Sequence, residues 1–138
     1  NNAATLVAGQ APDLVILAFG MNDGTAVNAI QPSAFKSNIA SMINTVRASK
    51  PQAEFILVGT TLANAEAANF EYLQPQYMSV LNELAAEKTG AVTANMTGVH
   101  QTLLQYKNFR DMTGNNINHP NDFLARWYAQ FIKGILVQ

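Results

Sequence analysis

Residues 14–20 read Leu-Val-Ile-Leu-Ala-Phe-Gly, a continuous apolar run that ends in glycine. A run without polar alternation is typical of a strand that is buried on both faces, as in parallel sheets. Residues 55–59 repeat the pattern as Phe-Ile-Leu-Val-Gly, and residues 91–94 carry a weaker version, Ala-Val-Thr-Ala. The sequence therefore predicts three buried strands.

Helical stretches separate the predicted strands. Apolar residues recur at a spacing of 3.6 residues over 33–47 and again over 71–88. Residues 99–106 predict a short helix, and a last helix opens at Asn121-Asp122, a pair in which either residue can cap it. Strands that alternate with helices indicate βαβ units, and hence an α/β fold with a parallel sheet.

The first predicted strand is too apolar for the edge of a sheet. An apolar edge strand exposes unpaired N–H and C=O groups and invites association. We therefore expect residues 14–20 to pair with a missing N-terminal segment or with another chain. The N-terminal residues, Asn1-Asn2-Ala3-Ala4, show neither an initiator Met nor a signal pattern, so we expect a longer precursor.

Composition narrows the class of protein. With 138 residues, 49% hydrophobic and 12% charged, the chain fits one globular domain, residues 1–138. A net charge of −1 gives no case for nucleic-acid binding, and no apolar run approaches the roughly 20 residues of a membrane span. The absence of cysteine excludes Cys-ligated metal. Low charge and many Asn residues favour a secreted, phage-surface or cell-surface protein.

The segment Gly20-Met21-Asn22-Asp23-Gly24 follows the first predicted strand directly. Ligand sites in open α/β sheets lie at the carboxyl ends of the strands. An Asn amide at that position is suited to donating a hydrogen bond to the oxyanion of a tetrahedral intermediate. The alternative is an ordinary turn, because Asn-Asp-Gly is favourable turn chemistry.

The second motif precedes the last predicted helix and reads Asn116-Ile117-Asn118-His119-Pro120-Asn121-Asp122. A His at a helix entrance, held by the following Pro, has a free imidazole, which is suited to proton transfer at neutral pH. The alternative is a surface His beside a helix cap. The other histidine, His100, lies on a predicted short helix, and we expect it to be solvated.

Together the two motifs resemble the SGNH hydrolase family, with G-x-N-D after a strand and N-x-x-H-P-N-D about a hundred residues later. The resemblance covers essentially the whole chain, which corresponds to the later, C-terminal part of the family's domain. It implies a three-layer flavodoxin-like fold, of which this chain holds three strands with their helices. It also implies hydrolysis of esters, including acetyl esters of carbohydrates, without a metal or an organic cofactor.

The same resemblance implies roles for individual residues. Gly20 and Asn22 match the block in which the Asn side chain helps to form the oxyanion hole, while Asp23 supports the turn. His119 matches the block that supplies the general base. A small-molecule or carbohydrate ester is the implied substrate.

The chain departs from the family pattern at the nucleophile. The family's G-D-S segment and its second, glycine-bearing block are both absent from these 138 residues. The serines present all fall on predicted helices and are not nominated as nucleophile: Ser33, Ser37, Ser41, Ser49 and Ser79. The expected serine therefore belongs to the missing segment that we expect beside residues 14–20.

The acid of the triad is the second departure. The family places Asp three residues before the His, and here that position is Asn116. Three options stay open: a backbone carbonyl in place of the acid, Asp122 folded back onto His119, or Asp111 reaching it along the loop.

Two rival functions accompany the esterase hypothesis. One is a degenerate, non-catalytic SGNH-like module that binds carbohydrate or assembles with other chains, which Asn116 favours. The other is a flavodoxin-like nucleotide binder, which ranks low because no glycine-rich phosphate loop follows either apolar strand.

Overall fold

A computed structural model of the protein describes residues 2–67, 69–70 and 72–137. In chain order the elements are α1 (Asn2–Ala8), β1 (Leu14–Leu17), α2 (Pro32–Ser49), β2 (Glu54–Val58), α3 (Gln74–Glu87), β3 (Ala91–Ala94), α4 (Met96–Leu103), α5 (Phe109–Met112) and α6 (Asp122–Leu136). The predicted α/β alternation is confirmed.

The three strands form one parallel sheet in the order β1-β2-β3. Leu14 pairs with Glu54, and Phe55 pairs with Ala91. Because β2 has a neighbour on each side, four of its five residues are buried. The sheet therefore has β2 at its centre and β1 at one edge.

Helices cover both faces of the sheet. Phe55 and Leu57 of β2 pack into a core with α2 and α3, whereas Ile56 and Val58 pack against α6. This alternation follows from successive side chains of a strand pointing to opposite faces. The result is a three-layer α/β architecture, as expected.

The outer edge of β1 is only partly covered. Val15 is buried, but Leu14, Ile16 and Phe19 keep 38–45% of their surface exposed. The regular strand ends at Leu17, three residues before the predicted end, and its pairing with β2 ends at the same residue. Among the described residues, β1 pairs only with β2.

Some predicted boundaries need correction. The two strongly periodic helices extend over 32–49 and 74–87, and the first residue of the second prediction, Glu71, lies outside the described residues. The short helix α4 spans 96–103 rather than 99–106. Neither α1 nor α5 was predicted, because at seven and four residues they are too short for a periodic signal. None of the described helices is long and apolar enough to cross a membrane.

Candidate active site

The turn after β1 requires a glycine at position 20. Gly20 has a φ of +119°, a backbone conformation that residues with a Cβ rarely adopt. A Cβ at this position would also lie 2.9 Å from Cδ2 of Tyr77. The Tyr77 ring stacks on Phe35, with ring centroids 4.0 Å apart, so it has little room to move. The core therefore fixes where this turn begins.

Hydrogen bonds hold the remainder of the turn. The Gly20 N–H donates to Oδ2 of Asp23 at 3.1 Å, which is the turn-supporting role expected for that aspartate. The Gly24 N–H donates to the Gly20 carbonyl at 3.0 Å. From α3, the buried Gln74 donates through Nε2 to the Met21 carbonyl at 2.9 Å. The turn is thus tied both to itself and to α3.

Asn22 lies at the exposed tip of this turn. Its carbonyl accepts hydrogen bonds from Nδ2 of Asn28 at 2.7 Å and from Oγ1 of Thr25 at 3.0 Å. Its side-chain amide, by contrast, has no hydrogen-bond partner among the residues that the structure describes. The backbone is therefore held while the amide stays available to donate a hydrogen bond.

Tyr77 supports this turn structurally, and its hydroxyl is protonated. Its hydroxyl donates to the Ile30 carbonyl at 2.6 Å. Burial raises the pKa of Tyr77 to about 12, and the negative charge of Asp23 adds to the effect. The phenol therefore stays neutral at physiological pH.

A closed loop carries His119. Thr113 and Pro120 form an isolated antiparallel bridge across the base of this loop. Inside it, the Gly114 N–H donates to the His119 carbonyl at 2.9 Å. Oδ1 of Asn115 accepts the N–H groups of residues 117, 118 and 119, each at 3.0 Å. The loop is thus braced by its own polar groups.

The His119 imidazole is exposed and makes no hydrogen bond to any described residue. Oδ2 of Asp111 accepts the N–H of Asn108 at 3.1 Å. Asp122 is exposed in the first turn of α6, whose N-cap is Asn121.

Asn116, at the family's acid position, has a φ of +54°, and its side chain is exposed. Among the described residues, the imidazole is therefore hydrogen-bonded to none of the three options, Asp111, Asp122 and a backbone carbonyl, nor to Asn116.

The two motifs border one cavity of about 250 Å³ at the carboxyl end of β1 and β2. On one side it is lined by residues 18–23, which include Gly20 and Asn22. On the other side it is lined by Asn118 and Pro120, the neighbours of His119, while the His119 side chain itself is not part of the lining. The amide of Asn22 and the His119 loop thus meet at the same edge of the sheet.

Sequence reasoning missed one contributor to this cavity, Tyr128 of α6. Its hydroxyl accepts the Thr61 N–H at 3.3 Å, and both residues line the cavity. The apolar periodicity of α6 indicates a packed face, but it does not say which side chain on that face reaches the end of β2.

The expectation that His100 is solvated was wrong. This residue is fully buried, and its Nδ1 accepts the Leu62 N–H at 3.1 Å. Its Nε2 is buried without a hydrogen-bond partner among the residues that the structure describes, and its ring meets Phe109 edge to face. Burial lowers the pKa of His100 to about 4. The earlier start of α4, at Met96, places His100 on the inner face of the helix with Met96 itself.

Comparison with protein families gives one match. Residues 2–126 match the model of the GDSL-like lipase/acylhydrolase family. A search of curated proteins found no match to the chain.

Solved structures with the same fold include several esterases. A carbohydrate esterase of family 3 from Talaromyces cellulolyticus has a TM-score of 0.79 and 21% identity, over 100% of this chain and 63% of its own. Axe2, an acetylxylan esterase from Geobacillus stearothermophilus, has a TM-score of 0.73 and 16% identity, over 91% of this chain and 60% of its own. The chain thus spans about three-fifths of these structures, and at such identities the likeness concerns the fold.

Proposed function

Because the chain belongs to the GDSL-like lipase/acylhydrolase family, we propose that it is the later part of a serine ester hydrolase. The observation that carries this proposal is the cavity at the end of β1 and β2, which is bordered by Asn22 on one side and by the neighbours of His119 on the other. An amide that donates and an imidazole that exchanges protons are two of the three groups that acyl transfer to a serine needs.

In the proposed reaction, a serine hydroxyl from outside these residues attacks the ester carbonyl. His119 accepts the hydroxyl proton as the new C–O bond forms, and Nδ2–H of Asn22 donates to the oxyanion. The tetrahedral intermediate then breaks its bond to the alcohol, which leaves with the proton from His119. Water, deprotonated by the same imidazole, releases the acid and regenerates the serine.

The nucleophile is proposed to lie on a further segment or chain that pairs with β1. All five serines of the chain lie on α2 or α3, and none lines the cavity. The partly exposed Leu14, Ile16 and Phe19 give such a segment an apolar surface to cover. The residues encoded upstream of Asn1 test this point: we expect a strand followed by Gly-Asp-Ser. A natural protein that starts at Asn1 and has no partner polypeptide would contradict it.

The group that orients His119 is proposed to be Asp122, Asp111 or a backbone carbonyl, with Asn116 at the family's usual acid position. In Axe2, variants in which a serine or an aspartate is replaced by alanine are described as catalytic mutants. Comparing kcat of Asp122→Asn with that of Asp111→Asn separates the first two options, and full activity in both variants favours the carbonyl.

Short acyl esters, including O-acetyl groups on polysaccharide, are the proposed substrates. Support comes from the structures of similar fold, which include a carbohydrate esterase and an acetylxylan esterase. Release of acetate from acetylated xylan, measured beside p-nitrophenyl acetate hydrolysis, tests the substrate class.

Replacement of His119 by Ala in the natural protein is the test of the mechanism. We expect p-nitrophenyl acetate turnover to disappear, because the proposed mechanism gives the serine hydroxyl no other proton acceptor. Asn38→Ala, an exposed change on α2, serves as the matched control and should retain activity. Activity that persists in His119→Ala rules out the assigned role.

A second candidate function is a non-catalytic module that binds carbohydrate or assembles with other chains. The observation that favours it is Asn116 in place of the acid, with no hydrogen-bonded partner of the His119 imidazole among the described residues. A serine-reactive fluorophosphonate probe discriminates the two: labelling of the natural protein supports the enzyme, and its absence supports the module.

A further inference from the structure

The loop that carries His119 touches the remainder of the protein through very few polar contacts. In the described part of the chain, two hydrogen bonds join residues 114–119 to residues outside the segment 113–121. The N–H of Asn64 donates to the Ile117 carbonyl at 2.8 Å, and Nδ2 of Asn64 donates to the Asn116 carbonyl at 2.9 Å. Both bonds therefore come from a single residue, 52 or more positions earlier in the chain.

Asn64 is well placed to hold another segment. It is buried, with 6% of its surface exposed, and lies just beyond the carboxyl end of β2. Its Oδ1 accepts the Glu66 N–H at 3.1 Å, so the amide is oriented with its two donors directed away. The backbone N–H, Nδ2 and Oδ1 of Asn64 therefore each make a hydrogen bond.

The segment that bears Asn64 is itself anchored to the helix layer. The Leu62 N–H donates to Nδ1 of the buried His100 at 3.1 Å. Oγ1 of Thr97 donates to the Thr60 carbonyl at 2.6 Å. Because α4 holds this segment at two points, Asn64 is a fixed support rather than a mobile contact.

We propose that Asn64 is a positioning residue, which holds the loop of residues 113–120 and thereby fixes His119, whose neighbours line the cavity that Asn22 also lines. The role rests on the proposed esterase function, and it acts through the backbone of Asn116 and Ile117 rather than on the substrate. The positive φ of Asn116 turns the chain at the residue whose carbonyl receives the Nδ2 hydrogen bond.

The chemistry of the contact demands an amide. An aspartate has nearly the same shape but lacks the Nδ2 donor, and its charged oxygen would face the Asn116 carbonyl. Replacing this buried amide by a carboxylate costs a hydrogen bond and buries a charge, and both effects arise at the contact with the loop. Asn64→Asp therefore releases one anchor of the loop with the least change in packing.

The test has two arms that use different readouts. In the first, the {1H}-15N nuclear Overhauser effect of the amides of residues 116–119 is measured in the natural protein. Asn64→Asp should lower it, while the amides of α6 keep their values. Asn82→Asp is the matched control, because Asn82 is exposed and uses only Oδ1, which accepts from Oγ1 of Thr93.

In the second arm, p-nitrophenyl acetate hydrolysis is measured in the natural protein. We expect kcat of Asn64→Asp to fall roughly 10- to 100-fold with KM unchanged, because misplacement of a catalytic group by about 1 Å has such effects. A residue that merely stabilises the fold would leave kcat intact well below the melting temperature. If Asn64→Asp does not fold, Asn64→Ser is measured in its place.

The two arms separate the positioning role from the esterase function. A lower nuclear Overhauser effect at residues 116–119 together with a lower kcat supports the positioning role of Asn64. If the wild-type natural protein is inactive, the esterase proposal fails while the relaxation arm still decides whether Asn64 holds the loop. If the nuclear Overhauser effect at residues 116–119 of Asn64→Asp equals that of the wild type, the positioning role is overturned.

Discussion

The two loops that border the cavity are built in opposite ways. The turn of residues 20–24 is packed onto the core: a Cβ at Gly20 would strike Tyr77, and one at Gly24 would lie 2.8 Å from the backbone nitrogen of Gln74. The loop of residues 113–120 is held by polar groups, and a Cβ at its Gly114 would meet nothing within 4 Å. The Asn22 side is therefore fixed by packing in addition to hydrogen bonds, and the His119 side mainly by hydrogen bonds.

This difference has a consequence for how the site tolerates change. Packing against stacked aromatic rings resists substitution because the neighbours cannot relax without disturbing the core. A loop braced by hydrogen bonds tolerates added volume but is sensitive to the loss of one donor. The two sides should therefore respond differently to the same substitution.

Replacement of glycine by alanine can be compared in the two loops as Gly20→Ala and Gly114→Ala. We expect Gly20→Ala to have the largest effect on the free energy of unfolding. At Gly20, strain at positive φ and overpacking against Tyr77 each contribute roughly 1–3 kcal/mol of destabilisation. At Gly114, the exposed alanine should change the free energy of unfolding by less than about 1 kcal/mol. Urea unfolding of both variants measures the contrast, and equal stabilities would contradict it.

Asn22→Ala should affect chemistry without affecting stability. The side chain is exposed and has no hydrogen-bond partner in the described part of the chain, so its loss should leave the free energy of unfolding within about 0.5 kcal/mol of wild type. Loss of an oxyanion donor should lower kcat for p-nitrophenyl acetate roughly 10²- to 10³-fold in the natural protein. The exposed change Asn38→Ala should leave kcat unchanged. If kcat of Asn22→Ala is similar to that of Asn38→Ala, Asn22 is not an oxyanion donor.

His100 should make stability depend on pH. Its folded pKa of about 4 lies below its ordinary value of 6.5, so the unfolded chain binds more protons between these limits. Stability is therefore full above pH 6.5 and is lost as pH falls toward 4, by up to about 3 kcal/mol.

Thermal unfolding at pH 7 and pH 4.5 measures this loss. His100→Asn keeps an acceptor for the Leu62 N–H but cannot titrate, so its unfolding temperature should depend less steeply on pH. The same slope in wild type and variant would contradict the assignment.

The sequence predicted the framework because each strand and long helix carries its own local signal. The apolar runs at 55–59 and 91–94 and the periodic stretches at 33–47 and 71–88 all correspond to observed elements. The prediction of a long first strand was wrong at its carboxyl end, since β1 ends at Leu17. The local apolar pattern does not determine how far β1 stays hydrogen-bonded to β2.

The candidate site was predictable only in part. Asn22 and His119 were nominated from motifs that carry recognisable chemistry. His100 and Asn64 carry no such motif, because their importance comes from partners 38 and 52 positions away in sequence. His100 was wrongly expected in solvent because the predicted helix began at residue 99 and so left out Met96 and Thr97, the buried residues whose face of α4 it shares.

A crystal structure of the natural protein treated with diethyl p-nitrophenyl phosphate tests the central claim most directly. We predict a diethylphosphoryl-serine adduct, formed with loss of p-nitrophenol, whose P=O oxygen lies about 3 Å from Nδ2 of Asn22, with the His119 imidazole within hydrogen-bond reach of the serine oxygen. An adduct remote from either side chain, or Asn22 and His119 on opposite faces of the molecule, would contradict the account.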